Sequence, residues 1–340
     1  PHSMAPALIM LDGHHNCATM RERLAHNHSL QLNPDILDHL IATLDDALLL
    51  QNARFAEAKH HALVTYRNTP CRPPSNAGRD YPSDKDSLAD LLDGYLAADS
   101  NPRTNTTNLR GLVSPHIDYE RGGTAYASVW NHAAEAAQDA DLAVIIGTNH
   151  NGDSGDVTLT HQHYSTPYGT LYTDAKLVNS LAAAIGEEKA FAHELDHRSE
   201  HSIELAAIWL HHMRKRQTIA LLPILVGSFR HFVSGLSSPH DDSCYSYLVD
   251  TLHEKTLGRR IIVVAAGDMS HVGPAFNGQT LGEDDKNDIR TSDSAIVDAI
   301  CTGDPDLFFT SVQQIGDITN ICGLAPIYLT LRILTPAKGH

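Results

Sequence analysis

Three apolar runs in this chain end on a histidine: "LVSPH" at 112–116, "LAVIIGTNH" at 142–150 and "IIVVAAGDMSH" at 261–271. Neutral imidazole is the commonest metal ligand, and together with a carboxylate it suits iron, copper or zinc. Asp268 stands three residues before His271, so the third run delivers an acid and an imidazole together. His116, His150, His271 and Asp268 are therefore expected to build a metal or acid–base site. A fourth long run, "IALLPILVGS" at 219–228, ends without a histidine.

A second cluster lies in "HELDHRSEHSIEL" at 193–205. His197, Glu200 and His201 match H-x-x-E-H, the zinc-peptidase pattern in which two histidines bind the metal and the glutamate is general base. A helix through the segment would place both histidines on one face. The peptidase reading needs a further ligand, for which Glu283 is a candidate without a motif of its own. The alternative is that Ser199 simply opens an amphipathic helix with acids in its first turn. With 23 histidines in 340 residues, residue type alone identifies no site, and position has to decide.

The elements that must position these residues alternate. Strands are expected at 111–114, 142–147, 157–160, 170–173, 219–226 and 261–266. Helices are expected at 88–98, 123–138, 174–185, 199–213, 284–301, 304–314 and 323–334. Apolar strand runs alternating with helices indicate an α/β fold, a mainly parallel central sheet flanked by helices. In such sheets ligands bind at the carboxyl ends of the strands, where the three histidines emerge. Before the sheet, residues 33–63 carry apolar positions at helical spacing behind Asn33 as cap and Pro34 at N1. The Pro- and Asn-rich stretch from Arg67 to Asp86 separates a small helical N-terminal module, 1–66, from the main domain, 67–340.

The totals exclude several classes. Lys and Arg number 25 against 41 Asp and Glu, a net charge of −16, which argues against nucleic acid and anionic membranes as partners. The one basic cluster, Arg214-Lys215-Arg216, reads as a solvated helix end. No run approaches the roughly 18 apolar residues of a membrane span. Five cysteines without a C-x-x-C suggest reduced thiols in a cytoplasmic protein. Pro1-His2-Ser3 is expected to be a tag remnant before a native start at Met4, with no signal sequence behind it. GxGxxG, P-loop and GxSxG motifs do not occur, so nucleotide-binding and serine-hydrolase readings lose their simplest support.

Taken in order, "NAGRDYPSD" (76–84), "SPHIDYERGGTAYA" (114–127), "IIGTNH" (145–150), "STPYGTLYTD" (165–174), "SEHSIEL" (199–205), "LLPILVG" (221–227), "AAGDMSHVGPAF" (265–276) and "CGLAPI" (322–327) resemble the Memo family. The resemblance extends to its bacterial AmmeMemoRadiSam system protein B branch, whose N-terminal region is similar to Met4–Tyr66, "LDGHH" at 11–15 included. It implies an extradiol dioxygenase (LigB-like) fold with a mononuclear metal pocket at the strand ends. Carried over by position, His116 and His150 fall on the metal-associated histidines, and His201 falls on the histidine of the EHS motif in the same pocket. The third metal-associated position is cysteine or glutamate in relatives. Ser270 is read as occupying it here, which leaves Asp268 or His271 to compensate, or the metal weakly held.

The resemblance further implies a divalent metal, iron first, with copper or zinc as alternatives. On it rests a metal-dependent redox role: His201 as acid–base group oriented by Glu204 or Glu200, Asp268 and His271 beside it, and Tyr119, Arg121 and Ser270 towards a substrate. Arg121 has an equal alternative, a salt bridge closing its loop, while Tyr168 and Asp174 read as turn and cap residues. The branch also implies radical-SAM and AMMECR-type partners, for which this chain would be a non-catalytic subunit or scaffold.

Overall fold

The computed structural model describes residues 4–101 and 108–340. The chain divides into two compact units between Thr65 and Tyr66. The first holds the helices Ala5–Ile9, Cys17–His28 and Pro34–Asp46 and most of Ala53–Asn68. The expected helical stretch 33–63 is thus two helices. Asn33 caps the first, as read from the sequence, and Leu48 then takes a positive φ of 59° that ends the turn. Asn52 restarts the chain by accepting from the amide of Phe55.

The second unit is a mixed α/β domain around a mostly parallel seven-stranded sheet. Its strands are β1 (Gly111–Ser114), β2 (Leu142–Thr148), β3 (Val157–Leu159), β4 (Tyr164–Thr166), β5 (Gly169–Thr173), β6 (Ala220–Val226) and β7 (Ile261–Ala266). They run in the order β1-β7-β2-β6-β5-β4, with β3 antiparallel on β6. Every residue of β2 is buried, because helices cover both faces. Alternate residues feed two cores. Val144, Ile146, Leu222, Ile224, Val263 and Ala265 pack against the helices Ala175–Ile185, Ser243–Lys255 and Leu324–Leu334. Ala143, Ile145, Leu221, Ile262 and Val264 face the helices Lys85–Ala98, Tyr119–His132 and Ser202–Met213.

Register then places the chemistry. Ser114 pairs with Ala266, and Ala266 pairs with Gly147. Three parallel strands therefore finish at one level of one edge, and His116, Asp268 and Asn149 each follow two residues later. A slip of one strand by a residue would break this alignment and turn its side chains to the wrong face.

Some boundaries differ from expectation. The helix expected at 123–138 begins at Tyr119, because Asp118 accepts from the amide of Arg121, and a second helix, Ala134–Asp139, follows it. Gly123 within it lies under the Tyr95 ring, where a Cβ has no room. Strand β4 and the helix Ser243–Lys255, capped by Asp242, carry no strong periodic signal. Among the described residues, no helix is long and apolar enough to cross a membrane.

Candidate metal centre

His116 leaves β1 and turns under the end of β7. Its Nδ1–H donates to the carbonyl of Ala266 at 3.0 Å, and its backbone amide donates to Oδ1 of Asp268 at 2.9 Å. The backbone contact selects the tautomer and leaves Nε2 free to bind. Burial pushes the imidazole down to about 4, even with the Asp268 carboxylate nearby, so the ring is neutral at physiological pH. That is the ligating form.

His150 and His201 share one orienting group. Nδ1 of His150 lies 3.1 Å from both oxygens of Glu200, and Nδ1 of His201 lies 3.1 Å from Oε1. The same carboxylate accepts from the backbone amides of His150, His201 and Ser202. Burial would raise its pKa, but these imidazole contacts hold the Glu200 carboxyl well below the usual carboxylate range. His201 is raised in turn: burial opposes its charge, and Glu200 outweighs burial. The two rings stack 4.9 Å apart, and both stand edge-on to His116 at 5.1 and 5.2 Å. With every Nδ1 committed to a protein acceptor, the Nε2 atoms are the ones left for a ligand.

The donors form two overlapping groups, His116–His150–His201 and His116–Asp268–Cys322, each with its ligand atoms within 4.8 Å of one another. Two atoms each 2.0–2.3 Å from one ion lie at most about 4.6 Å apart, so both groups need only a small inward shift to close on a single metal. Sγ of Cys322 is 3.1 Å from Nε2 of His116, and since Nδ1 carries the ring proton, the thiol donates. Burial, reinforced by the charge of Asp268, pushes this thiol up to about 12. A cation is what would release its proton. Cys322 is seated by a close backbone crossing in which Gly267 and Gly323 touch, with the Gly323 amide donating to Asp268 O at 2.9 Å.

Behind the centre, Arg72 clamps the turn that carries Glu200. Its Nε donates to the carbonyl of His197 at 2.6 Å and its Nη2 to that of Glu200 at 2.7 Å. Its remaining nitrogen pairs with Glu204, and both side chains are fully buried. Glu204 also accepts from the amide of Asn76 at 2.9 Å, from Ser75 and from the hydroxyl of Tyr81.

A family model described as "Memo-like protein" matches residues 72–340. The chain belongs to the Memo family. It is 25% identical over 270 residues to a MEMO1 family protein of Archaeoglobus fulgidus, covering 79% of this chain and 88% of that protein. It is 27% identical over 257 residues to one of Methanosarcina barkeri, covering 75% and 84%. A MEMO1 family protein of Aquifex aeolicus aligns over 337 residues at 22% identity, covering 96% and 81%. That last alignment extends into the N-terminal unit, which the Memo model does not reach.

Within this Memo-family chain, the structure brings His116, His150, His201 and Asp268 together and places His271 beside them, its Nε2 3.9 Å from Asp268. Other expectations change. Ser270 does not take the third ligand position: its hydroxyl donates to Asp293 at 2.6 Å, and Cys322, which the sequence reading passed over, lies beside His116 instead. Glu204 does not orient His201, because Arg72 and the 75–81 loop occupy it; Glu200 does the orienting. Tyr119 cannot meet a substrate, since it is fully buried and donates to Leu205 O. Arg121 is exposed and paired with Asp118 at 2.6 Å, the loop-closing alternative.

The H-x-x-E-H match is an accident of composition. His197 sits in a short 3-10 turn, Glu194–Arg198, fully buried between the hydroxyl of Tyr164 and the carbonyl of Thr158. Both its nitrogens are used and neither faces His201. Glu283 opens the helix Glu283–Cys301 and pairs with Lys286. The signal that would have found Cys322 is its "CG" dipeptide, whose glycine permits the crossing over Gly267.

Proposed function

We propose that this Memo-family chain is a metal-dependent protein whose centre holds one divalent transition metal, iron first among iron, copper and zinc, and acts in redox chemistry on a small molecule. One observation carries the reading: three imidazoles converge with their Nδ1 atoms committed elsewhere, beside a thiol and a carboxylate. Acceptor nitrogens packed this closely repel one another unless a cation or proton lies between them. The mixture of nitrogen, sulfur and carboxylate donors suits borderline transition metals and disfavours magnesium or calcium.

His116, His150, His201 and Cys322 would hold the ion, with Asp268 at its edge. Bound there, a metal would supply Lewis acidity and, for iron or copper, one-electron chemistry. Glu200 fixes two of the rings and keeps their Nδ1 protons in place. Asp268 Oδ2 lies 3.8 Å from Nε2 of His116 and 3.9 Å from Nε2 of His271, a position from which it can hold or pass a proton at the mouth of the site.

Elemental analysis of chain purified anaerobically without chelator tests the proposal. Stoichiometric metal is expected, lost in His116→Ala and His150→Ala. Absence of metal above background under any loading condition overturns it.

A further inference from the structure

The two loops that carry Asp268 and Cys322 also build something beyond the centre. Residues 271–281 continue from Asp268, and residues 316–320 lead into Cys322; together they wall a cavity of about 640 Å³. The amide of His271 donates to the carbonyl of Thr319 at 2.7 Å, tying one wall to the other. The volume falls within the range of small-molecule sites, roughly 300–1,000 Å³.

His271 lines this cavity and reaches towards the centre, its Nε2 3.9 Å from Asp268. Its Nδ1–H donates to the carbonyl of Met269 at 2.9 Å, so Nε2 is left as an acceptor facing Asp268. One carboxylate therefore lies between a residue lining the cavity and His116. Arg230 also lines the cavity; among the described residues its guanidinium makes no hydrogen bond or ion pair, and its charge acts on the neighbouring Asp317. Asp285 accepts from the amide of Gly282 and Asp317 from that of Ile321, both at 2.8 Å. Phe276 and Ile318, which also line it, are large apolar residues 45% and 80% exposed.

We propose that this cavity is the substrate subsite of the centre: it takes a small organic anion, with its carboxylate or phosphate on Arg230, its apolar body against Phe276 and Ile318, and its other end directed past His271. The direction in which the ligand points rests on the metal-centre reading. The binding itself does not.

Calorimetric titration of the full chain with phenyl phosphate, as purified and after chelation, tests it, with benzyl alcohol as the neutral control. Phenyl phosphate is expected to bind both preparations and benzyl alcohol neither. Arg230→Gln is expected to weaken binding at least about tenfold, the scale of a lost charge-assisted hydrogen bond. Thr280→Trp, which fills the cavity from its wall, is expected to abolish binding while leaving metal content unchanged. Binding that survives both substitutions, or that disappears with the metal because the phosphate is simply a ligand to it, overturns the proposal. A chain that takes up no metal yet binds phenyl phosphate through Arg230 would refute the metal reading and leave the anion subsite standing. Stoichiometric metal without phenyl phosphate binding would do the reverse.

Discussion

Glu200→Gln separates a metal site from a chance meeting of histidines. The carboxylate accepts from Nδ1 of His150 and of His201 and from three backbone amides, so each of its oxygens faces only donors. An amide in its place removes the negative charge that both rings share and, with its oxygen at the Oε1 position, turns its NH2 towards the amide and Nδ1 of His150. Losing one outer contact of this kind costs about 10–100-fold in metal affinity. With two rings affected and partial coupling between them, we expect at least about 100-fold, roughly 2.7 kcal/mol. Competition of Co2+ between the protein and a chromophoric chelator measures this directly, with circular dichroism to establish that the variant is folded. Tyr81→Phe is the control: it removes one hydrogen bond to the other buried acid, Glu204, and touches no imidazole. Its metal affinity should be unchanged. A folded Glu200→Gln variant that binds Co2+ within threefold of wild type refutes the claim that Glu200 sets the ring orientations.

Cys322→Ser should abolish the sulfur-to-cobalt charge-transfer band of the Co2+-loaded protein, whereas Ser270→Ala should leave it intact; a wild-type spectrum without that band, together with Co2+ affinity lost in Ser270→Ala, restores the serine to the ligand position. Arg72→Met strands the buried charge of Glu204 and should cost about 3–5 kcal/mol in urea unfolding, and a change below about 1 kcal/mol would show that the clamp is not needed. Burial pushes His197 down to about 3 and His211 to about 4, so both stay neutral in the fold and take up protons on unfolding below their ordinary value of 6.5. Stability should therefore fall as pH drops from about 6.5 towards 4, and His197→Gln should make that fall shallower by about 1.4 kcal/mol per pH unit. A slope unchanged by His197→Gln would contradict the burial argument.

The sheet was legible because parallel strands buried on both faces must be continuous apolar runs, and "LAVIIGT" and "IIVVAA" are unmistakable as such. Their ends located His116 and His150, since ligands collect where parallel strands stop. Weaker elements escaped for an equally physical reason. Strand β4 is three residues long, too short for a period, and the helix Ser243–Lys255 mixes polar and apolar residues without a clean stripe. The carboxylates were the least legible. Glu200 and Glu204 stand four apart in one motif, both almost fully buried, and nothing in their spacing says which one faces the imidazoles.

The sequence by itself determined the kind of fold, the edge of the sheet that carries the chemistry and two of its histidines, because those follow from local pattern and chain direction. Tertiary structure decided the rest. Cys322 meets His116 from 206 positions away through a glycine crossing, and Arg72 reaches Glu200 from 128 positions away to fix the turn that aims two rings. His197, which the motif offered as a ligand, is instead sealed in the core between Tyr164 and Thr158. Donor identity is written in residue types, but whether a donor faces a metal, a substrate or another part of the core depends on backbone crossings that local sequence does not encode.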